Sequence, residues 1–392
     1  MKSLKFQVSV LVLISFALGC SEFIVVGILS DIAVGLGVSL VQAGHLVTLF
    51  ALIYAIMTPF IATFLGRFRH YYALLALSAI FVLGNLLSSI SPNYTFLLFS
   101  RLLTAVVSGP MISLGFTFAN ILAPPAQKAR IVSYVFSGFS IASVFGVPLG
   151  TWISARSGWR AAFAAITVLS VLTLLLCLLA LPRNLRSQAT GLKGQLKIFT
   201  DHRIQIGILL PLFSAAGFYT FYTYLRPILS DQLQLSVKVV SLVLFAYGLT
   251  AILSNLLSGR LAAVSGLKLM PAAFTLQAVL FLLLLPAWKY RNLALSLIMV
   301  LGVTMYLLNS PIQMHFFRVA EDDYPQSMVL ASSFNSIFFN FGISLGSFVG
   351  SQIVAVSGIP YVGIGAAVLA LATVLLLLLL NQLNRKTGQR SD

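Results

Sequence analysis

The sequence predicts an all-α membrane protein of twelve transmembrane helices in two six-helix pseudo-repeats, and three observations lead there. Hydrophobic residues make up 59% of the 392-residue chain and charged residues 8%, whereas soluble domains carry about 25% charged residues. The apolar positions fall in twelve runs, each near the roughly 20 residues that a helix needs to cross a bilayer; in hydrocarbon a helix satisfies its own backbone hydrogen bonds. FGVPLGT at 145–151 returns as FGISLGS at 341–347, a displacement of 196 residues, half the chain.

In chain order, the first run, FQVSVLVLISFALGCSEFIVVGIL, ends near Leu29, and polar turns are expected around Asp31, Arg67, Pro92, Gln127 and Ser157. A polar stretch from Pro182 to Arg203 follows, and turns around Asp231, Gly259, Lys289, Asp322 and Gly358 divide the second six spans. This organises the chain as an N-terminal half, 1–181, a central loop, 182–204, and a C-terminal half, 205–392. A second echo supports the repeat: LFALIYAIMTPFIATFLGR ends at Arg67 and LFAYGLTAILSNLLSGR at Arg260, with a two-residue gap. Six-span repeats related along the membrane normal are a transporter signature. Gly146 with Gly150, and Gly342 with Gly346 and Gly350, have the GxxxG spacing that lets helix backbones approach, so they are expected to pack. Pro148 is expected to kink the fifth span, because it removes a helical hydrogen bond. The ALGC ending at Cys20 does not read as a lipoprotein signal, since apolar sequence runs on to Leu29. Cys20 and Cys177 both fall within spans, so no disulfide framework is indicated.

The net charge of +16 does not point to nucleic acid, whose binders gather Lys and Arg in a patch of a soluble fold. Here the cations sort by loop parity. Seventeen lie at the N-terminus, in the even loops and in the tail; six lie near the odd loops, and Arg101 lies within a span. The positive-inside bias then places both termini and the central loop in the cytoplasm, in a bacterial-type inner (plasma) membrane.

Against that apolar background, Glu22 is the one acid inside a long apolar stretch, and an ionisable group at membrane depth costs about 2.5 to 3.5 kcal/mol on insertion scales. It is therefore a functional candidate. With the first span ending near Leu29, Glu22 falls about 10 Å from the outer surface, and Arg101 in the fourth span lies at a depth of about 9 Å. The two pair if their helices adjoin; alternatively Arg101 snorkels outward as an anchor. Ser15, Gly19 and Glu22 share one helix face, as do Arg101, Thr104, Ala105 and Ser108, which suits either a water-filled cavity or plain packing. The seventh span holds Phe218, Tyr219, Phe221, Tyr222 and Tyr224. Two readings stand for this group: a stacking surface for a planar ligand, led by Tyr219 and Tyr222 at i, i+3, or an interfacial aromatic belt. Asn309 and Gln313 in the tenth span, with Asn335 and Asn340 in the eleventh, carry donors and acceptors able to read a ligand edge or to bond across helices.

SEFIVVGILSDIAVGLGVS and AGHLVTLFAL in the first two spans, GVPLGT followed by GWRAAF, and QLKIFTDHRI running into AAGFYTFYTYLRPIL together resemble the major facilitator superfamily across all twelve spans. The likeness is greatest to its drug/proton antiporter branch, which includes purine-base and nucleoside efflux pumps and arabinose-type sugar efflux pumps. GVPLGT resembles the fifth-span motif of exporters, with Val147 and Thr151 in place of two glycines. One departure is plain: Gly66 precedes Arg67, and Gly259 precedes Arg260, where the family usually has an acid.

The resemblance implies a secondary transporter that exports a small solute by proton antiport and alternating access, a purine base or nucleoside being favoured over a sugar or a drug. Glu22 and Arg101 are the expected proton-coupling pair, and Ser15, Gly19, Tyr219, Tyr222, Asn309, Gln313 and Asn335 the expected substrate contacts. No cofactor or metal is expected, and the partners are substrate, protons and lipid, for a monomer. An enzyme is disfavoured because the four histidines are scattered, with no HExxH and no phosphate-binding glycine loop. A passive facilitator remains the competing class.

Overall fold

The computed structural model describes residues 3–65, 68–124, 127–183 and 196–388. Among them every regular element is helical, and twelve segments are long and apolar enough to cross a membrane. The first six spans are α1 (Leu4–Leu36), α2 (Leu40–Leu65), α3 (His70–Ser89), α4 (Tyr94–Leu122), α5 (Lys128–Ile141) continuing through a π-helical turn into α6 (Val147–Ser157), and α7 (Trp159–Ala180). The second six are α8 (His202–Tyr222) with a short helical extension to Gln232, α9 (Val237–Val264), α10 (Met270–Ala287), α11 (Arg291–Thr304) with α12 (Asn309–Asp323) as one interrupted span, α13 (Met328–Val356) and α14 (Val362–Gly388). Gly66, Arg67 and most of the 182–204 loop lie outside the described residues. The chain forms two compact units, Met1–Ala189 with Leu235–Gly248, and Thr190–Gln234 with Leu249–Asp392.

Two expected turns fall well inside helices instead. Asp31 lies inside α1 and Gly259 inside α9. A single polar residue or glycine does not end a helix; what does is a residue that can take the left-handed conformation and cap the free carbonyls. Gly37 does this for α1 at φ +62°, its N–H on Val34 while the Val38 N–H takes the Ala33 carbonyl. Gly266, φ +54°, closes α9 in the same way, its N–H on the Leu261 carbonyl. At 33 residues α1 is thus longer than expected, and Glu22 lies about 21 Å from its C-terminal end. Its backbone breaks once, at Ile28, φ −123° and ψ 15°.

The expected irregularity in the fifth span takes the form of a π-helical turn, Ala142–Gly146, which ends two residues before Pro148. The proline has no N–H and its ring crowds the carbonyl four residues back, and the widened turn accommodates both.

The repeated glycines pack helices in each unit. A Cβ on Gly146 would lie 2.7 Å from the Cys20 Sγ, and one on Gly150 2.6 Å from the Ile24 Cγ1, so α5–α6 rest directly on α1. In the second unit a Cβ on Gly342 would meet the Ala215 Cβ at 2.7 Å, one on Gly346 the Ala216 Cα at 2.8 Å, and one on Gly350 the Thr220 oxygen at 2.6 Å, setting α13 on α8. Hydroxyls cross both seams: Thr151 donates to the Gly27 carbonyl at 2.8 Å and Thr220 to the Gly346 carbonyl at 3.1 Å.

Candidate functional site

In the first unit the candidate charges sit where α1, α3 and α4 meet. Arg101, on α4, is 1% exposed. It does not snorkel: its Nη1 donates to the Ser21 Oγ at 3.0 Å and its Nη2 to the Ser21 carbonyl at 2.7 Å. The guanidinium carbon lies 4.4 Å from the centroid of the Phe50 ring and 5.6 Å from that of Phe163, which supplies cation–π attraction in place of water. Its Nε finds no acceptor among the described residues.

Ser21 is held in turn. Its hydroxyl donates to the Asn85 Oδ1 at 2.9 Å, and the Asn85 Nδ2 donates to the Phe81 carbonyl at 2.9 Å. Ser21 and Asn85 are fully buried. Neither stood among the sequence candidates; the signal available was an amide beside a glycine in an otherwise apolar run, IFVLGNLLSSI.

Glu22 is partly exposed. The helices do adjoin, as the pairing idea requires, yet no ion pair forms between Glu22 and Arg101 within 4.0 Å. Ser21, the residue before Glu22, takes the guanidinium instead. Arg101 is the charged group whose field reaches Glu22. Ser15 and Gly19 are packing positions here. Ser15 donates to the Leu11 carbonyl and faces Gly138, and a Cβ on Gly19 would lie 2.7 Å from the Ala142 Cβ.

In the second unit, Tyr219 and Tyr222 are buried, 1% and 4% exposed, which excludes a lipid-facing belt for these two rings. They meet edge to face at 5.4 Å between centroids, Tyr219 meets Phe339 at 6.1 Å, and Phe339 lies against Tyr306 at 6.0 Å with the planes 32° apart. Phe339 and Tyr306 are the partly exposed members of this cluster.

The amides border those rings. Asn335 lies one helical turn before Phe339, and its Oδ1 is buried without a hydrogen-bond partner among the described residues. Gln313 reaches the Ala331 carbonyl at 3.4 Å, one turn before Asn335. Asn309 opens α12, three residues after Tyr306. The break between α11 and α12 frees backbone N–H groups, and α9 takes them: Ser254 accepts from the Tyr306 N–H at 2.8 Å, and Ser258 from the Ser310 N–H at 2.9 Å. Interrupted helices at membrane depth are tolerated where protein or a water-lined cavity satisfies the backbone, and in transporters they mark binding regions.

Farther along this unit, Arg203 at the start of α8 joins Asp201, at 2.6 Å, to Asp323 at the end of α12, at 2.5 Å. Burial pushes the Asp201 carboxyl up, but the hydrogen bonds and charge of Arg203 outweigh it and hold the carboxyl below the usual carboxylate range. No group of three or more His, Cys, Asp or Glu side chains among the described residues is arranged to hold a metal.

Comparison with known proteins places this geometry. The family model described as Major Facilitator Superfamily matches residues 11–328 and 208–391. The inner membrane transport protein YdhP of Escherichia coli (strain K12) is 31% identical over 368 residues, covering 92% of each chain. The MFS-type transporter YtbD of Bacillus subtilis (strain 168) is 29% identical over 340 residues, covering 86% of each. Among solved structures, a bacterial homolog of the human lysosomal transporter Spinster, in an inward-facing and unoccupied conformation, superposes with a TM-score of 0.78 at 14% identity, covering 97% of this chain and 98% of its own.

Proposed function

The chain belongs to the major facilitator superfamily and is a multi-pass inner-membrane transporter rather than an enzyme, and we propose that it exports a small planar solute, a purine base or nucleoside, in exchange for protons. In this reading it stands in the drug/proton antiporter branch and works by alternating access, with both termini cytoplasmic.

One observation carries the coupling: among the described residues Glu22 has no ion-pair partner, because the guanidinium of Arg101 is spent on Ser21. A carboxyl locked in a salt bridge is a poor proton carrier. One that feels a fixed cation without touching it changes its proton affinity when burial or that distance changes, which is what alternating access alters. Glu22 takes a proton when the site opens outward and releases it inward, and substrate binds from the cytoplasm while the acid is ionised.

Substrate recognition falls to the second unit. Phe339 and Tyr306 offer ring faces, backed by Tyr219 and Tyr222, for offset stacking of a planar ring. The Asn335 Oδ1 is an acceptor awaiting a donor, which the N–H edge of a purine supplies. Asn309 and Gln313 complete the polar edge.

The test is transport by purified protein in proteoliposomes with labelled adenine or adenosine and an imposed pH gradient. Wild type should accumulate substrate against its gradient, and Glu22→Gln should lose uphill transport while keeping downhill exchange. Equilibration by wild type without accumulation, indifferent to the pH gradient, would show a passive facilitator.

A further inference from the structure

The following rests on the reading of Glu22 and Arg101 as the proton-handling groups and deepens it. The hydroxyl of Ser21 has one proton, and that proton is committed. Asn85 donates through Nδ2 to the Phe81 carbonyl, which turns its Oδ1 toward Ser21. Ser21 gives its proton to that oxygen, so a lone pair of the same hydroxyl faces the Arg101 Nη1. The carbonyl of Ser21 takes Nη2, and Phe50 covers one face of the guanidinium. Asn85 can reach this position because Gly84 lets α3 close on α4. A Cβ on Gly84 would come 2.5 Å from the Thr104 Cγ2 and 3.2 Å from the Ser100 oxygen.

We propose that Ser21 and Asn85 are positioning residues that hold the Arg101 guanidinium off the Glu22 carboxyl, so that the acid exchanges its proton beside a fixed charge rather than within an ion pair. A carboxylate is a better acceptor for a guanidinium than a hydroxyl, and the two-pronged pair is the stronger geometry. Glu22 is the next residue along α1. Without the Ser21 and Asn85 anchor, the guanidinium closes on Glu22. Other charges do not compete for this role among the described residues. Arg156 of α6 lies over the Trp152 ring, Arg160 of α7 is held on the Ser91 carbonyl, and Asp31 takes the Ser154 hydroxyl. Among the described residues no charge other than that of Arg101 acts on Glu22.

The proposal makes a prediction of sign that a structural role does not. Bringing a cation nearer favours the ionised acid, so Ser21→Ala and Asn85→Leu should lower the pH at which Glu22 takes up its proton, by about 1 unit or more. Arg101→Ala removes the cation and should raise it. The readout is the carbonyl stretch of the protonated carboxylic acid, followed by infrared difference spectroscopy against pH on purified protein in liposomes and assigned by its loss in Glu22→Gln. Protons are then the only ligand needed. Ser21→Thr, which keeps the hydroxyl, should restore the wild-type midpoint, and Ser21→Ala decides the matter if Asn85→Leu does not fold. Midpoints of Ser21→Ala and Asn85→Leu that stay put, or that move upward as that of Arg101→Ala should, overturn the positioning role. Uphill purine export by Glu22→Gln would instead remove the proposed coupling, a failure these midpoints do not share.

Discussion

The two halves of this chain share a scaffold and differ in what fills it. In the first, α1 carries Ser21 and Glu22 between the points where Gly146 and Gly150 rest on Cys20 and Ile24. In the second, the same register sets Gly342 and Gly346 on Leu212 and Ala216 of α8, and Phe218 and Tyr219 lie farther along, before the point where Gly350 rests on Thr220. In each seam a threonine donates to a glycine carbonyl, from α6 to α1 in the first and from α8 to α13 in the second. The turns that follow are alike as well: Gly158 and Gly358 have φ +83° and +93°, a conformation that side chains other than glycine's rarely adopt. A third correspondence joins α7 to the end of α3 and α14 to the end of α10. Arg160 donates to the Ser91 carbonyl, and Trp288 to the Pro360 carbonyl. The backbone device is thus repeated, while the side chains that accompany it form a charge network in one half and an aromatic and amide wall in the other. Close helix packing constrains the glycines tightly and leaves the residues between them free to diverge.

The comparison breaks most sharply if the two fillings can be exchanged in function. Glu22→Gln is expected to abolish uphill transport altogether, whereas Tyr219→Ala is expected to keep it; the accumulation ratio across a pH gradient measures both. Loss of coupling in Tyr219→Ala would mean that the division of labour between the halves is wrong.

Next in size are the seams. Gly346 stands against the backbone of Ala216, which cannot yield, and Gly146 against the thiol of Cys20, which can rotate away. Gly346→Ala should therefore cost about 1–3 kcal/mol, the usual penalty of overpacking, and Gly146→Ala less. Thermal unfolding of the two purified variants in the same detergent ranks them, and equal shifts would mean that the seams are not as different as their contacts.

Smaller effects are expected at the ligand-reading wall. Phe339→Ala should weaken purine binding by about 0.5 to 1.5 kcal/mol, the usual worth of an aromatic pair beyond its area. Tyr222→Ala, farther behind the exposed rings, should weaken it less. Binding of labelled adenine to each variant, with wild-type affinity at both positions as the adverse result, checks this.

The smallest expected effect concerns a tie for which the first half shows no counterpart among its described residues. Asp201 titrates below the normal carboxylate range because of Arg203, so the stability it contributes is fully present above the unfolded value of about 3.9 and is lost as pH falls through the lower folded value. The pair is partly buried, and bridges near the surface are worth about 0.2–1 kcal/mol. Asp201→Asn should lower the unfolding temperature slightly near neutral pH and converge with wild type in acid; parallel curves across that range would contradict it.

What was legible in the sequence follows from the bilayer. A span must be long, apolar and helical, so composition and run length alone determined the twelve helices, and the duplicated glycine motifs marked the close-packed seams. Glu22 and Arg101 were legible for the same reason, because a charge in an apolar run is conspicuous. Helix ends were less so: Asp31 and Gly259 looked like turns, but an end depends on which residue takes the left-handed cap. Tertiary structure alone decided which groups meet. It put Ser15 and Gly19 into a packing seam, seated Arg101 on Ser21 rather than on Glu22, brought Asn85 in from a third helix, and opened the tenth span at Tyr306 against two serines of α9. Hydrogen bonds between helices depend on rotation and depth to within about an ångström, and a one-dimensional pattern of apolar and polar residues leaves both undetermined.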